Sequence, residues 1–275
     1  MKSKNIIIAV FAVVFLCHCK TEEAEPYTNE QIVTDNAQAA LYFHTLFREA
    51  EAVWAFIHEK DYEEGTYTET IRPNVSKEMV HTINNNAHNV TVTYSTWTSG
   101  HLTLMGKITV IFGKDSYRRD AMVANIYFTD ISINWQSVVG EASMKYISGE
   151  NDRYSFTLIE GAKIFEEGHG KPELISATIN NGQYERLSKE SDGDLWAYAG
   201  EMKGQLRNDP SLSYTNTVAA TLTVNNETVD GRVYYNMACK TARQGISRIK
   251  IEGRPDVYFE YFCSEYGLLS VTHIE

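Results

Sequence analysis

From Gly65 onward the chain is cut into short apolar and β-branched runs by clusters of turn-forming residues. This punctuation constrains the fold more than any other feature of the sequence. "HNVTVTYST" (88–96), "LTLMGKITVIFG" (102–113), "RYSFTLIEGAKIF" (153–165), "SYTNTVAATLTV" (213–224) and "DVYFEYF" (256–262) are rich in Val, Ile, Thr, Tyr and Phe, the residues that suit a pleated, half-buried surface. Between such runs stand "FGKDS", "SGEND", "NNGQ", "SDGD", "NNET" and "EGRPD", whose Gly, Asn, Asp and Pro supply turn geometry. The spacing predicts about a dozen or more strands in an antiparallel meander or barrel-like sheet. Strands do not alternate with helical patterns, which argues against a parallel α/β fold.

One segment breaks this rhythm. Between Gln31 and His58, Ile32, Ala39, Ala40, Phe43, Leu46, Phe47, Ala50, Val53, Trp54 and Ile57 recur at spacings of three and four, the signature of an amphipathic helix with one apolar face. Thr28 and Gln31 have the spacing of a capping box, and Gly65 closes the polar tail. A helical segment is therefore expected over 31–64 and the β domain over 65–275. His44 and His58 are expected on the solvated side, about 21 Å apart along the axis and so unable to share a metal ion.

Ahead of the helix, Lys2 and Lys4 precede an apolar core from Ile6 to Leu16, too short for a lasting membrane span. Residues 1–18 read as a secretory signal. Leu16-Cys17-His18-Cys19 resembles the lipobox of bacterial lipoproteins, with His18 where a small residue is usual. The expected anchor is a lipid on Cys19, followed by a tether over 19–30, because two or more acyl chains hold a protein stably on a bilayer. Lys20-Thr21-Glu22-Glu23-Ala24-Glu25 resembles, with Thr21 as an interruption, the export signal that sends some lipoproteins to the cell surface. The body is then expected at the outer membrane, facing either the periplasm or the exterior. The formal net charge of −11 argues against a nucleic-acid partner, since phosphate neutralisation by Lys and Arg drives such binding.

Chemistry-bearing motifs are sparse. The spacings of a nucleophile elbow, a zincin helix or a phosphate loop do not occur. Ser247 and Lys250 match Ser-x-x-Lys, but in a strand positions three apart face opposite sides. Asp192 and Asp194 are too few oxygens for a calcium loop. Glu166-Glu167 carries no hydrolytic signal without a cleft, and His81, His88 and His101 become a zinc site only if folding converges them. No cofactor, metal or catalytic residue is expected, and the chain is read as a non-enzyme. Cys239 and Cys263, in an exported chain, either form a disulfide worth about 3 kcal/mol or remain two thiols on neighbouring strands.

"CKTARQGISRIKIEGRPDVYFEYFCSEYG" (239–267), with "LTLMGKITVIFG", "RRDAMVANIYFTDISINWQSVVGEASMKYI" and "DLWAYAGEMKGQL" upstream, resembles uncharacterised β-rich lipoproteins of Bacteroidetes over about the last two-thirds of the chain. Ser264-Glu265-Tyr266 departs from the Gly, Asn and Asp usual near their last cysteine. The resemblance implies an exported β-sheet protein and supports pairing of Cys239 with Cys263; it brings no activity. Two readings follow: a lipid-anchored structural or interaction module of the cell envelope, and a lipoprotein that binds a glycan or apolar ligand in a sheet groove or barrel mouth. The second would use exposed tyrosines with Trp97, Trp135 or Trp196.

Overall fold

A computed structural model of the chain describes residues 29–274, apart from 62, 100, 117, 148–151, 166–172, 189–193, 207–208, 225, 237–241 and 264–268. The chain is mainly β, as expected, with one N-terminal helix. The helix, α1, runs Asn29–Glu59. Sixteen strands follow among the described residues. They are β1 (Gly65–Arg72), β2 (Val75–Asn84), β3 (Ala87–Ser99), β4 (Leu102–Phe112), β5 (Val123–Ile133), β6 (Gln136–Ile147), β7 (Arg153–Phe165) and β8 (Glu173–Ser188). The rest are β9 (Leu195–Leu206), β10 (Asp209–Val218), β11 (Leu222–Val224), β12 (Glu227–Val229), β13 (Val233–Tyr235), β14 (Ala242–Ile251), β15 (Val257–Cys263) and β16 (Leu269–Ile274).

Strands β1 to β10 form an uninterrupted antiparallel meander, and the same sheet continues through β14, β15 and β16. One lane of the sheet is shared. Between β9 and β14, β10 pairs with residues 200–206 of β9 and 248–251 of β14, while the short β13 pairs with residues 196–198 and 242–244 of the same two strands. Where the lane changes hands, between Val218 and Val233, the chain leaves the sheet as the β11–β12 hairpin.

Period-two alternation sets the register. His81, Val90, Val110, Ile126, Ala142 and Leu158 form one cross-strand row over β2 to β7, and every one is buried. A one-residue slip in any strand would turn its members to solvent, so the row fixes the pairing. A line of bulges crosses the same strands, at Tyr94/Trp97, Lys107/Thr109, Phe128/Ile131 and Gly140/Glu141. Bulges bend a sheet and increase its local twist. Here they curl it around α1.

The helix departs from the sequence expectation in its surroundings. The ordinary surface helix keeps one polar face in water, but from Asp35 to Glu51 every residue of α1 is buried or half-buried. Glu49 and Glu51, two residues apart, point about 200° apart around a helix. Glu49 meets Lys77 of β2, and Glu51 meets Arg186 of β8. Both contacts exist because the sheet lies on both sides of the helix. Phe43, Leu46 and Phe47, all without exposed surface, each contribute about 1.5–3 kcal/mol by burial. At the C-terminus Asp61, at φ 50°, turns the chain, with its N–H donating to the His58 carbonyl, and Gly65 opens β1. Thr28, the other half of the expected capping box, lies outside the described residues.

Candidate functional site: the helix-filled concave face

Residues from α1 and from the inner faces of the strands meet in three polar groupings set in an aromatic core. In the first, the Glu49 carboxylate accepts hydrogen bonds from Lys77 Nζ at 2.7 Å, the Tyr94 hydroxyl at 2.9 Å and Ser99 Oγ at 3.1 Å. Glu49 and Lys77 are both buried, so the pair is an inner one with its lone pairs satisfied, the condition under which a buried ion pair is tolerated. Burial first, then the adjacent Glu49 charge, raise the Tyr94 phenol well above its ordinary range.

The second grouping is centred on Arg186. Its guanidinium reaches Glu51 at 2.5 Å and Asp152 and Asp194 at 3.2 Å, and it lies over the Trp196 ring at 4.7 Å. Arg119 reaches Asp152 at 2.5 Å and donates to the Tyr154 hydroxyl, which donates in turn to Glu51. Arg48 completes the set above Trp196. Three arginines face three carboxylates, and planar guanidinium stacking on indole is the arrangement that arginine favours over lysine.

The third grouping lies toward the start of α1. Asn36, Ala37 and Ala40 of the helix line an enclosed cavity with Ile179, Tyr184, Tyr198, Met202, Asn216, Val218, Val233, Tyr235 and Tyr261. Its volume is about 20 Å³, room for roughly one water. Its shape depends on glycines. Tyr198 lies against Gly182 and Gly200, where any Cβ would meet the ring or the neighbouring backbone. On the outer face, a shallow groove beside Gly106 is lined by Met105, Thr129, Asp130, Ser137 and Val139.

The residues singled out in the sequence are distributed as follows. His44 is not on a solvated surface: it is 5 % exposed, stacks on Tyr235 at 4.3 Å, and has its Nδ1 buried without a partner. The polar positions of α1 look solvent-facing in sequence because their partners are strands far along the chain. His58 is exposed and stacks on Trp54. His81 and His88 converge at 3.1 Å, while His101 stays exposed, and the described residues contain no group of three metal-ligating side chains. His81 Nδ1 lies 2.7 Å from the Glu63 carbonyl. A carbonyl only accepts, so His81 Nδ1 carries hydrogen and its Nε2 accepts from His88 Nδ1.

Trp97 and Trp196 are buried, and of the three tryptophans considered for ligand contact only Trp135 is exposed. It occupies the β5–β6 turn, where Asn134 and Trp135 both have positive φ. In β15, Val257, Phe259 and Tyr261 are buried, and Phe262 faces outward at 39 % exposure. Ser247 is buried and hydrogen-bonded to the Tyr261 hydroxyl, whereas Lys250 is exposed, so the two face opposite ways. Asp194 serves Arg186; Asp192, Glu166 and Glu167 lie outside the described residues, as do Cys19 and Cys239. Sequence reasoning missed Asn36, Asn216 and Tyr198. A polar residue inside an otherwise apolar helical stripe, at Asn36, was the one legible signal.

Comparison of the chain with protein-family models, curated proteins and solved structures gives no match.

The histidines make stability depend on pH. Burial first, and then Arg48, hold the His44 pKa well below 6.5; burial and His81 lower that of His88. Below pH 6.5 the unfolded chain binds protons that the folded chain does not, so stability is complete above that pH and falls as the pH drops toward the folded values. For His44 the slope approaches about 1.4 kcal/mol per pH unit. Urea unfolding at pH 7.5 and 5.0 is expected to show a clear loss at the lower pH, and His44→Phe to remove a large part of it. An unchanged difference in His44→Phe would rule His44 out as its source.

Proposed function

We propose that this chain is an exported, lipid-anchored protein of the cell envelope, held at the outer membrane by Cys19, acting as a non-enzymatic structural or interaction module. The observation that supports this most is the filling of the concave face. The surface on which a curved sheet would offer an open cleft is packed by the protein's own helix, where Phe47 stacks on Tyr184 and meets Tyr154 and Trp196 edge-on. Partners are then met by the outer face and by the end strands β1 and β16, and β1 is mostly exposed. An end strand with one unpaired edge is a natural site for a further strand.

The tether agrees with this role. The stretch from Cys19 to Asn29, where α1 begins, spans at most about 35 Å when extended, which keeps the sheet close to the membrane. A disulfide between Cys239 and Cys263 belongs to the same reading; Cys239 lies outside the described residues and Cys263 ends β15. The ligand-binding alternative draws its support from the enclosed cavity and from Trp135.

Metabolic labelling with a fatty-acid probe, combined with proteolysis of intact cells, tests the anchor and its orientation. Label is expected on the wild type and absent from Cys19→Ala. Label that persists in Cys19→Ala, or none on the wild type, would remove the anchor and with it the envelope role.

A further inference from the structure

We propose that the rim of the sheet formed by the β1–β2, β3–β4 and β5–β6 turns rests on the lipid bilayer, with the Trp135 indole seated in its headgroup layer. This rests on Cys19 being the lipid anchor and adds which end of the fold faces the membrane. The starting point is an unfavourable residue choice. Ile133 and Gln136 pair directly, so Asn134 and Trp135 form a two-residue turn, and both have positive φ, at 48° and 69°. Such turns favour Asn-Gly. Asn134 fits, and its Oδ1 accepts from the Thr103 N–H. Trp135 does not: a bulky side chain is strained in that conformation, and no ring contact or side-chain hydrogen bond with the described residues engages its indole. Glycine would serve the turn better. Strain kept at an exposed position points to a role outside the fold.

The helix fixes where that turn lies relative to the anchor. Gln136, the residue after Trp135, accepts hydrogen bonds from Gln38 Nε2 at 2.6 Å and from the Tyr42 hydroxyl at 2.8 Å. The N-terminal part of α1, into which the tether leads, is therefore at the Trp135 rim. The C-terminal part reaches the opposite rim: Trp54 Nε1 donates to the Ser116 carbonyl between β4 and β5, and Glu64 accepts from the Ile83 N–H near the end of β2. From Asn29 to Glu59 the helix rises about 45 Å, more than the roughly 35 Å that residues 19–29 can span. The lipid on Cys19 can reach a bilayer under the first rim and not one under the second.

The surfaces of the two rims agree with this orientation. The two most exposed large apolar side chains among the described residues, Ile71 at 63 % and Trp135 at 52 %, both stand at the near rim, Ile71 beside Arg72 at the end of β1. At the far rim Glu59, Asp61, Glu63 and Glu64 are exposed around Lys60, and anionic headgroups repel such an acidic surface. Tryptophan suits the layer between water and hydrocarbon, since its ring is apolar and its N–H finds a hydrogen-bond partner there.

Trp54, Trp97 and Trp196 are buried, so Trp135 is the tryptophan whose emission lipids can quench. The full protein, purified from cells with its lipid, is reconstituted into vesicles of phosphatidylethanolamine and phosphatidylglycerol, either plain or dibrominated high on the acyl chain, and flotation is measured on the same sample. The component of emission lost in Trp135→Phe is expected to be blue-shifted on vesicles and quenched by the brominated lipid. A reporter at the far rim, Ile83→Trp in the Trp135→Phe background, is expected to keep its full emission. Trp135→Gly should unfold at or above the wild-type Tm, because the turn is relieved of strain. Protein that floats but emits equally from both lipids overturns the inference and leaves the anchor standing; protein that does not float removes the anchor and the inference with it. Quenching of the Ile83→Trp reporter as strong as that of Trp135 would deny the orientation, and a lower Tm in Trp135→Gly would make Trp135 a packing residue; either overturns the inference. The comparison of wild type with Trp135→Phe stands even if the reporter variant fails to fold.

Discussion

Glu49→Leu is expected to destabilise the fold by about 3–5 kcal/mol, the range for removing one partner of a buried ion pair. The loss comes from what remains behind. The Lys77 ammonium keeps its buried position between the rings of Tyr94 and Trp97, with no carboxylate at 2.7 Å to neutralise it, and the hydroxyls of Tyr94 and Ser99 lose their acceptor. Adding Lys77→Met to Glu49→Leu removes the stranded charge, and most of the lost stability should return, since apolar replacements of a whole buried pair are often neutral or better. Urea denaturation of the wild type, both single variants and the double variant measures the coupling directly. A single-variant loss below about 1 kcal/mol would mean that the pair is hydrated and weak, and that the helix is held by its apolar contacts alone.

Gly106→Ala should be nearly as damaging, at about 3 kcal/mol or more, for a different reason. Gly106, on β4 beside the bulges of β3 and β5, has φ +96°, and a Cβ built there lies 2.1 Å from the backbone carbonyl oxygen of Asp130. Neither the backbone conformation nor the obstructing atom can adjust without opening the β4–β5 pairing. Gly253 supplies the control: it also has positive φ, at +76°, but nothing lies within 4 Å of its Cβ position. Gly253→Ala should therefore cost only about 1 kcal/mol, the conformational part. Equal losses in thermal or urea unfolding would show that steric contact with Asp130 plays no role.

Both effects concern the way the sheet is made to surround the helix, which is also where the sequence was hardest to read. The strands themselves were legible. The run 102–113 alternates with period two and ends in "FGKDS", and β4 occupies Leu102–Phe112. The helix was equally clear from its spacing, and its observed limits, Asn29–Glu59, lie within two residues of the start and one of the end of the periodic run Gln31–His58. Its environment was not. Glu49, Glu51 and His44 have the positions of a solvated face, and only their partners distinguish them from one. Lys77 lies 28 residues from Glu49, and Arg186 lies 135 residues from Glu51. Local periodicity carries no information about partners at such distances.

The tryptophans illustrate the same division. Trp97 and Trp196 were equivalent to Trp135 as candidate ligand platforms, since all three stand in or beside strands. Folding separates them by face. Trp196 is enclosed by Phe47, Tyr154, Arg48 and Arg186, and Trp135 projects from a hairpin turn at 52 % exposure. Which side of a pleat faces inward is set by the register of the whole sheet, and a single strand cannot reveal it.

By itself, the sequence determined a mainly β chain with one N-terminal helix, through side-chain propensities and turn chemistry that act over a few residues. The tertiary structure decided that this helix is enclosed, that its acids are paired inside, and that Asn36 faces a cavity at the broken lane of the sheet. Those features arise from strand curvature and from pairings between distant segments, where bulges and glycines bring the two walls of the sheet to opposite sides of the same helix.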